Sequence, residues 1–383
     1  MTRFHSRLFL GVLLSLTIFL TGLALPVRAQ ETDPFETGQI NGQALGLDRD
    51  DLQSRTACLL VYMDGKAVDL LHYRQDETVY MASLTKMMTA WLAVRLLEDK
   101  GRSLDDQATV RPADLEGLAA LNASVAGFQT GEVVSYRDLI YGLLISSGCD
   151  AANTLARVTA GSLEDFVVQM NEEALRMGLS GTHFANPTGL FHVDNYGTSH
   201  DMTRLLGAVI EDDFLKEALS RRRHTTKATN KHPQGITMQH YLTYYGSQAG
   251  IDTSGIDGGK TGQLKESGYC LASFKEISGL LFVVCTTGAD GPQGHLSDHL
   301  ALYQAVSDLI GTNPPLVRGI GQPAPLPTES IQTSSPVEGQ KKDPATSGQI
   351  LRLVTLVFLS LLTLLVLALF FFLLVRRRIR KDY

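Results

Sequence analysis

The chain has 383 residues, of which 44% are hydrophobic and 19% charged, and this balance excludes wholesale disorder, collagen and coiled coil. Its net charge of −6 is unevenly distributed, because residues 30–350 hold 25 Lys and Arg against 39 Asp and Glu, a net charge of −14. Such an acidic segment argues against nucleic acid as a partner.

The first residues have the pattern of a secretory signal peptide. Arg3 and Arg7 precede an uncharged apolar run at residues 8–25, and small residues follow at a suitable cleavage site in residues 27–29. We therefore predict a signal peptide at residues 1–29, with an uncleaved membrane anchor as the alternative.

The other end of the chain has the pattern of a membrane span. Residues 353–375 contain no charge over 23 positions, and a helix of that length crosses a hydrocarbon core of about 30 Å. Five cations follow within residues 376–383, and clustered cations stay on the cytoplasmic side. The two ends predict a single-pass cell-membrane protein with an extracytoplasmic catalytic domain, a transmembrane helix at 353–375 and a cytoplasmic tail at 376–383.

A linker is predicted between the span and the folded part. Residues 313–350 hold seven of the thirteen prolines and few large apolar residues, so they cannot bury enough surface to offset their ordering entropy. This leaves a polar lead-in at residues 30–55 and a single catalytic domain at residues 56–312.

The catalytic domain mixes strands and helices. Apolar runs at 57–63 and 67–73 flank Asp64-Gly65 and predict a β-hairpin. Residues 83–97 are apolar on nearly every side, which predicts a helix inside the core. Further helices are predicted at 137–158, 163–177, 199–210 and 294–310, and antiparallel strands at 269–275 and 280–286. Strands at both ends with helices between them predict an α+β fold in which the terminal strands share one sheet.

Ser83 and Lys86 are the first candidates for chemistry. On a helix, positions i and i+3 share a face, so the hydroxyl and the amine are neighbours. Burial in a helical core favours the neutral form of an amine, and a neutral lysine can take the proton of a serine. Alone, this spacing is also typical of a capped helix with a surface lysine.

Two later motifs favour the catalytic interpretation. Ser147-Gly148-Cys149 ends an apolar run, and Lys260-Thr261-Gly262 begins a predicted strand. Together with Ser83-Leu84-Thr85-Lys86 they occur in the order of the elements S-x-x-K, S-D-N and K-T-G, which are the signature of penicillin-binding proteins and class A β-lactamases.

With these motifs and the stretches at 185–190, 196–202, 255–262 and 267–269, the sequence resembles the D-alanyl-D-alanine carboxypeptidases, the low-molecular-mass penicillin-binding proteins of serine peptidase family S11. The resemblance covers residues 50–290. It implies an antiparallel sheet flanked by helices with an inserted all-helical subdomain. It also implies cleavage of the terminal D-Ala from peptidoglycan stem pentapeptides, β-lactams as covalent inhibitors, and no cofactor or metal.

The resemblance also implies roles for individual residues. Ser83 would be the acylated nucleophile, Lys86 its general base and Ser147 a proton carrier toward the leaving group. Lys260 and Thr261 would bind the substrate carboxylate, and Gly262 would let the substrate approach the strand. The backbone N–H groups of Ser83 and Gln263 would form the oxyanion hole.

Cys149 departs from the family, which usually has Asn at the third position of the middle motif. A thiol is a weak donor and acceptor, whereas the amide is a good one of each. Cys149 therefore keeps DD-transpeptidation open beside hydrolysis. A cysteine nucleophile is disfavoured because no histidine is near it in sequence. A non-catalytic, membrane-tethered module that binds cell-wall peptides is the other alternative. A class A β-lactamase is disfavoured, since no ExxLN segment follows Ser147.

Metal and phosphate chemistry are not favoured. The four cysteines have no CxxC spacing, so the sequence predicts no zinc site. A disulfide between Cys270 and Cys285 is permitted, but buried thiols are the simpler prediction. His295 and His299 lie one helical turn apart without an HExxH motif, and this pattern predicts a solvated helix face. The GGKT segment at 258–261 lacks the spacing of a phosphate-binding loop.

Overall fold

The computed structural model describes residues 35–311 and 316–322. The predicted signal peptide, the transmembrane helix, the cytoplasmic tail and most of the predicted linker lie outside this range. Within it, none of the helices combines the length and the apolar character that a membrane crossing requires.

The described residues form an α+β fold around one six-stranded antiparallel sheet, which confirms the predicted fold class. The strands are β1 (Phe35–Thr37), β2 (Gln39–Ile40), β3 (Gln43–Ala44), β4 (Thr56–Met63), β5 (Lys66–Tyr73), β6 (Val79–Tyr80), β7 (Gln107–Thr109), β8 (Val133–Ser135), β9 (Tyr196–Gly197), β10 (Arg223–Thr225), β11 (Thr237–Gln239), β12 (Gly258–Leu264), β13 (Gly268–Ile277), β14 (Leu280–Ala289) and β15 (Val317–Arg318). The helices are α1 (Thr85–Asp99), α2 (Pro112–Leu115), α3 (Tyr136–Leu144), α4 (Cys149–Ala160), α5 (Leu163–Arg176), α6 (Ser199–Val209), α7 (Asp213–Ser220), α8 (Tyr241–Ala249) and α9 (Pro292–Ile310).

The main sheet has the strand order β1-β5-β4-β14-β13-β12. The first hairpin and the last two long strands therefore share one sheet, as predicted from their positions at the two ends of the domain. In the β4–β5 turn, Asp64 and Gly65 have φ values of 48° and 72°, the left-handed pair that suits a two-residue hairpin. Strand β12 forms one edge of this sheet.

Helices cover both faces of the sheet. Alternate residues of β14 point to opposite sides: Val283 and Cys285 join the core with α1, α3–α6, and Phe282 and Val284 join a second core with α9. Helix α1 is buried on nearly all sides, as its apolar sequence predicts, and packs against α3, α4, α5 and α6. The helices α2–α5 form the helical insertion that the resemblance implied.

The predicted helix at 137–158 is interrupted. Helix α3 ends at Leu144 and α4 begins at Cys149, because Ser147 takes a left-handed φ of 54° and Gly148 is extended. A non-glycine residue in this region is strained and cannot continue a helix. The break places Ser147 on a turn at the N-terminus of α4.

The lead-in and the start of the predicted linker are folded, unlike the prediction. Strand β1 pairs with β5, and Ile40, Leu45 and Leu52 of the lead-in are buried. Strand β15, inside the predicted 313–350 linker, pairs with β2. The amino-acid composition of these segments does not predict that they are folded, because backbone hydrogen bonds between short strands hold them in place and only a few apolar side chains contribute.

The predicted solvated face of His295 and His299 is wrong, since both side chains are fully buried between α9 and the sheet. His299 forms hydrogen bonds with Ser273 Oγ at 2.6 Å and Thr286 Oγ1 at 3.1 Å. The polar residues of β13 and β14 make this burial possible, and the helix sequence alone does not show them. All four cysteines of the chain are free and buried.

Candidate active site

Ser83 lies at the entry to helix α1. It occupies a single 3₁₀ turn, Ala82–Leu84, directly before the helix, and Lys86 follows in the first α-helical turn. The fully buried Lys86 donates from Nζ to Ser83 Oγ at 2.9 Å. Ala82 has a φ of 48°, so the backbone before the serine is held in a strained conformation, a feature that concentrates at functional sites.

A loop at residues 185–190 fixes the Lys86 amine from the other side. Lys86 Nζ also donates to the Thr188 carbonyl oxygen at 2.5 Å. Asn186 Oδ1 holds this loop by accepting hydrogen bonds from the backbone N–H groups of Thr188 and Gly189. Thr89 of α1 donates to the Pro187 carbonyl at 2.7 Å. The amine is therefore anchored between the serine and a rigid loop.

Ser147 and Lys260 form a second serine–lysine pair. Lys260 donates from Nζ to Ser147 Oγ at 2.9 Å and to the Thr261 carbonyl at 2.8 Å. Burial, and to a smaller extent the neighbouring Lys86, holds the pKa of Lys260 well below its usual range. The Lys260 amine thus lies beneath the site and contacts Ser147.

Asp150 locks the turn that carries Ser147. Its carboxylate accepts three backbone N–H hydrogen bonds from the segment opposite: Ala126 at 2.8 Å, Gly127 at 2.9 Å and Phe128 at 3.0 Å. The Cys149 N–H donates to the Ser124 carbonyl, so the two segments are joined on both sides of the turn. The sequence analysis did not identify Asp150. Its position directly after the Ser147-Gly148-Cys149 motif, in the first turn of a helix, could have indicated that it holds the neighbouring backbone.

Strand β12 borders the nucleophile. A Cβ added to Gly262 would lie 3.1 Å from the Ser83 backbone nitrogen and 3.1 Å from Ala82 Cβ. Gly262 therefore lets the edge strand and the 3₁₀ turn approach closely. The role implied by the resemblance, close approach of the substrate to this strand, stays a prediction. In the main sheet β12 pairs only with β13, so its other edge has no strand partner in that sheet.

These elements enclose one cleft of about 540 Å³. Its lining is contributed by residues 121–124, Ser147 and Cys149, residues 188–190, the α8 residues Tyr241, Tyr244, Tyr245 and Gln248, residues 261–264 of β12, and Ser83 and Tyr269. The structure thus brings together all the predicted site residues: Ser83, Ser147, Cys149, Thr261, Gly262 and Gln263 line the cleft, while Lys86 and Lys260 lie beneath it. Sequence reasoning missed the tyrosines of α8, for which no motif gave a signal.

The arrangement is suited to acyl transfer. A serine hydroxyl in contact with a buried amine can lose its proton to that amine and attack a carbonyl. A second hydroxyl, in contact with a second amine, is available for the proton of the leaving group. Within the described residues, no group of three or more His, Cys, Asp or Glu side chains is placed to hold a metal ion.

Comparisons with known proteins agree with the geometry. The sequence profile of the D-alanyl-D-alanine carboxypeptidase family, peptidase family S11, matches residues 44–290. The chain is 28% identical to the D-alanyl-D-alanine carboxypeptidase DacF of Bacillus subtilis, over 63% of this chain and 59% of that protein. It is 31% identical to a D-alanyl-D-alanine carboxypeptidase of Streptomyces sp., over 54% of this chain and 72% of that protein.

A solved structure shows the same similarity in three dimensions. The crystal structure of a Streptomyces DD-transpeptidase matches with a TM-score of 0.59 at 26% identity, over 66% of this chain and 97% of that one. For DacF, and for DacC of Escherichia coli, the match spans less than two thirds of the relative's length.

Proposed function

Because the chain belongs to the D-alanyl-D-alanine carboxypeptidase family of serine peptidases, we propose that it removes the terminal D-Ala from peptidoglycan stem pentapeptides through an acyl-enzyme on Ser83. The observation that carries this proposal is the contact of Ser83 Oγ with the buried Lys86 amine at 2.9 Å. None of the described residues that line the cleft is a histidine, so Lys86 is the base that the geometry offers to Ser83, and a serine–lysine mechanism follows.

In the acylation step, Ser83 Oγ attacks the carbonyl carbon between the two D-alanines and gives its proton to Lys86 Nζ. The backbone N–H groups of Ser83 and Gln263 stabilise the negative oxygen of the tetrahedral intermediate. The C–N bond then breaks, and the proton that Lys86 took from Ser83 passes through Ser147 to the leaving amine of D-Ala, which returns Lys86 to its neutral form. The products are free D-Ala and an ester on Ser83.

The position of Lys260 refines its role. Its amine contacts Ser147 beneath the cleft, whereas the Thr261 side chain belongs to the cleft wall. We therefore assign hydrogen bonding of the substrate carboxylate to Thr261. Lys260 acts through Ser147, to which its amine donates a hydrogen bond.

The acceptor of the acyl group separates hydrolysis from transpeptidation. Water gives the carboxypeptidase reaction, and an amine of a second stem peptide gives a cross-link. Cys149, 1% exposed, stands where an amide would hydrogen-bond the substrate, and the solved structure described above is that of a DD-transpeptidase. Transpeptidation is thus the second candidate. A non-catalytic binding module is less favoured because both serine–lysine pairs are intact.

We also propose that β-lactams acylate Ser83, since they present a reactive carbonyl to the same nucleophile. The sequence patterns at both ends support a single-pass protein of the cell membrane, exported by residues 1–29 and anchored by residues 353–375, with the catalytic domain outside the cytoplasm. This placement would give the site access to peptidoglycan and a role in cell-wall biogenesis.

The test is the release of D-Ala from a stem pentapeptide by the full-length protein, beside a Lys86→Ala variant. We expect release by the parent and a loss of at least about 10²-fold in the variant, because the base is removed. Circular dichroism controls for folding. A folded variant that releases D-Ala at the parent's rate would contradict the assignment of Lys86, and a parent that releases none would contradict the activity.

A further inference from the structure

We propose that Cys58 and Cys285 form a cross-strand disulfide when the chain folds in an oxidising compartment. The pair is then a covalent modification site at the centre of the main sheet. This inference is independent of the proposed function, since it concerns the sheet and not the cleft.

The first observation is the register of the two central strands. Cys58 of β4 lies directly opposite Cys285 of β14 in their antiparallel pairing. Residues opposed in this way have Cα atoms about 4.5–5.5 Å apart, and a disulfide joins Cα atoms that are about 4.4–6.8 Å apart. The backbone therefore holds the two cysteines at a separation that a disulfide can span.

The second observation is that both side chains enter the same core. Ala57 and Leu59, the chain neighbours of Cys58, belong to the core beneath α9, so Cys58 points to the opposite face of the sheet. Cys285 belongs to the core on that opposite face, where α6 packs across β4 and β14. Both cysteines are fully buried. The two thiols thus share an environment from which water is excluded.

A pair of threonines shows how closely opposed side chains approach on this face. Thr56 and Thr287 are also directly opposed, two positions along the strands from the cysteines, so they point to the same side. Their Oγ1 atoms are 2.7 Å apart and share a hydrogen bond. A cysteine carries its sulfur at the same γ position. Rotation about the Cα–Cβ bonds can therefore bring the sulfur atoms of the cysteine pair into bonding contact.

The other two cysteines are less suitable partners. Cys285 faces Ala272 on its other side, and Cys270 lies two residues along the strand from Ala272, which makes it a diagonal neighbour. Diagonal neighbours are about 7–8 Å apart, beyond the span of a disulfide. Cys149 lines the active-site cleft. The Cys270–Cys285 bridge that the sequence permits is therefore not favoured, and the sheet offers Cys58 as the partner of Cys285.

Formation of the bond is a two-electron oxidation, and its oxidant is an external disulfide. The thiolate of one cysteine attacks the oxidant and displaces one of its thiolates, and the thiolate of the second cysteine attacks the mixed disulfide and displaces the other. The two cysteines lose their protons, and the oxidant is reduced to two thiols. Burial raises the pKa of both cysteines, so their thiolates are scarce once the sheet has closed. The bond therefore forms during folding, while the strands are still open to solvent.

The bond would close a loop that contains the whole proposed catalytic machinery, because both serine–lysine pairs lie between residues 58 and 285. A cross-link across a long loop restricts the unfolded chain and so stabilises the folded state. Disulfides persist outside the cytoplasm, where the pattern of residues 1–29 predicts that this domain is exported.

The experiment produces the full-length protein by cell-free synthesis in detergent, either with a mixture of reduced and oxidised glutathione or with reductant alone. Free thiols are then blocked with iodoacetamide in denaturant, and tryptic peptides are mapped. The four cysteines lie on four different tryptic peptides, so each pairing is distinguishable. With oxidised glutathione we expect blocked Cys149 and Cys270 and a peptide pair joined through Cys58 and Cys285. With reductant we expect four blocked thiols and a Tm lower by at least about 5 °C.

Cys270→Ala is the matched control for Cys58→Ala, because both remove one buried thiol from the sheet. Cys270→Ala should keep the joined peptides and the difference in Tm between the two conditions, whereas Cys58→Ala should lose both. Circular dichroism controls for folding, and the peptide map of the parent decides the pairing without any variant. Four blocked thiols in a folded parent made with oxidised glutathione, or a joined pair that contains Cys270, would overturn the inference.

Discussion

We expect Gly189 to determine the position of Ser83 relative to Lys86, although Gly189 itself takes no part in the reaction. It lies in the loop that receives the Lys86 amine and has a φ of 74°. A Cβ at this position would lie 2.0 Å from the Ala82 carbonyl oxygen and 3.1 Å from Ser83 Cα. In Gly189→Ala the loop or the 3₁₀ turn must therefore move, and both hold one partner of the Ser83–Lys86 pair.

The size of the effect follows from this overlap. Contact distances between carbon and oxygen are near 3.4 Å, so relief of the clash requires a displacement of about 1 Å or more. A displacement of that size at a reacting atom costs about 10²-fold in rate. The left-handed φ adds about 1–2 kcal/mol of destabilisation. Gly279→Ala is the matched control, because Gly279 has a φ of 78° in the β13–β14 turn and a Cβ there would meet no atom within 4 Å.

The assay is the rate of acylation by benzylpenicillin, followed by intact mass, with thermal unfolding measured on the same samples. Both variants should lose a similar part of their stability from backbone strain, and only Gly189→Ala should lose about 10²-fold in acylation rate. A folded Gly189→Ala variant that is acylated at the parent's rate would refute the argument that this loop positions the pair.

Two further predictions concern Cys149 and His295. Cys149→Asn should preserve or raise the rate of D-Ala release, because an amide is a better hydrogen-bond partner than a thiol; complete loss of release would show that the thiol has another role. Burial lowers the pKa of His295 from 6.5 to about 4. The unfolded state therefore binds a proton at a higher pH than the folded state, and stability falls as the pH drops below 6.5. From pH 7 to 5 this residue should cost about 2 kcal/mol in the free energy of unfolding. His295→Phe keeps the ring that stacks on Tyr269 and should remove that part of the loss, as measured by urea unfolding at both pH values. An unchanged pH dependence would contradict this assignment.

The parts of the fold that sequence predicted well depend on local patterns. The β4–β5 hairpin follows from Asp64-Gly65, and the burial of α1 follows from its apolar residues on every side. The break between α3 and α4 was missed because the strained φ of Ser147 is imposed by tertiary contacts, including those of Asp150. The buried state of His299 was missed for the same reason, since its partners Ser273 and Thr286 come from the sheet.

The site shows the same division. The three motifs predicted which residues would gather, because the chemistry of each requires particular side chains at particular spacings. The amine of Lys260 contacts Ser147 below the surface of the cleft. The spacing of motifs along the sequence does not show how deeply a side chain is buried, so this contact was not predicted. The tyrosines of α8 come from a helix without a motif, and their place in the cleft depends on how α8 packs beside β12.

The measurement that tests the central claim most directly is the intact mass of the full-length protein after incubation with benzylpenicillin, beside Ser83→Ala. The account predicts one covalent adduct in the parent and none in the variant, because Ser83 is the only nucleophile held against the Lys86 amine among the described residues. An adduct of equal yield in a folded Ser83→Ala protein would contradict the assignment of the nucleophile. A folded parent that forms no adduct would contradict the serine acyl-enzyme mechanism itself.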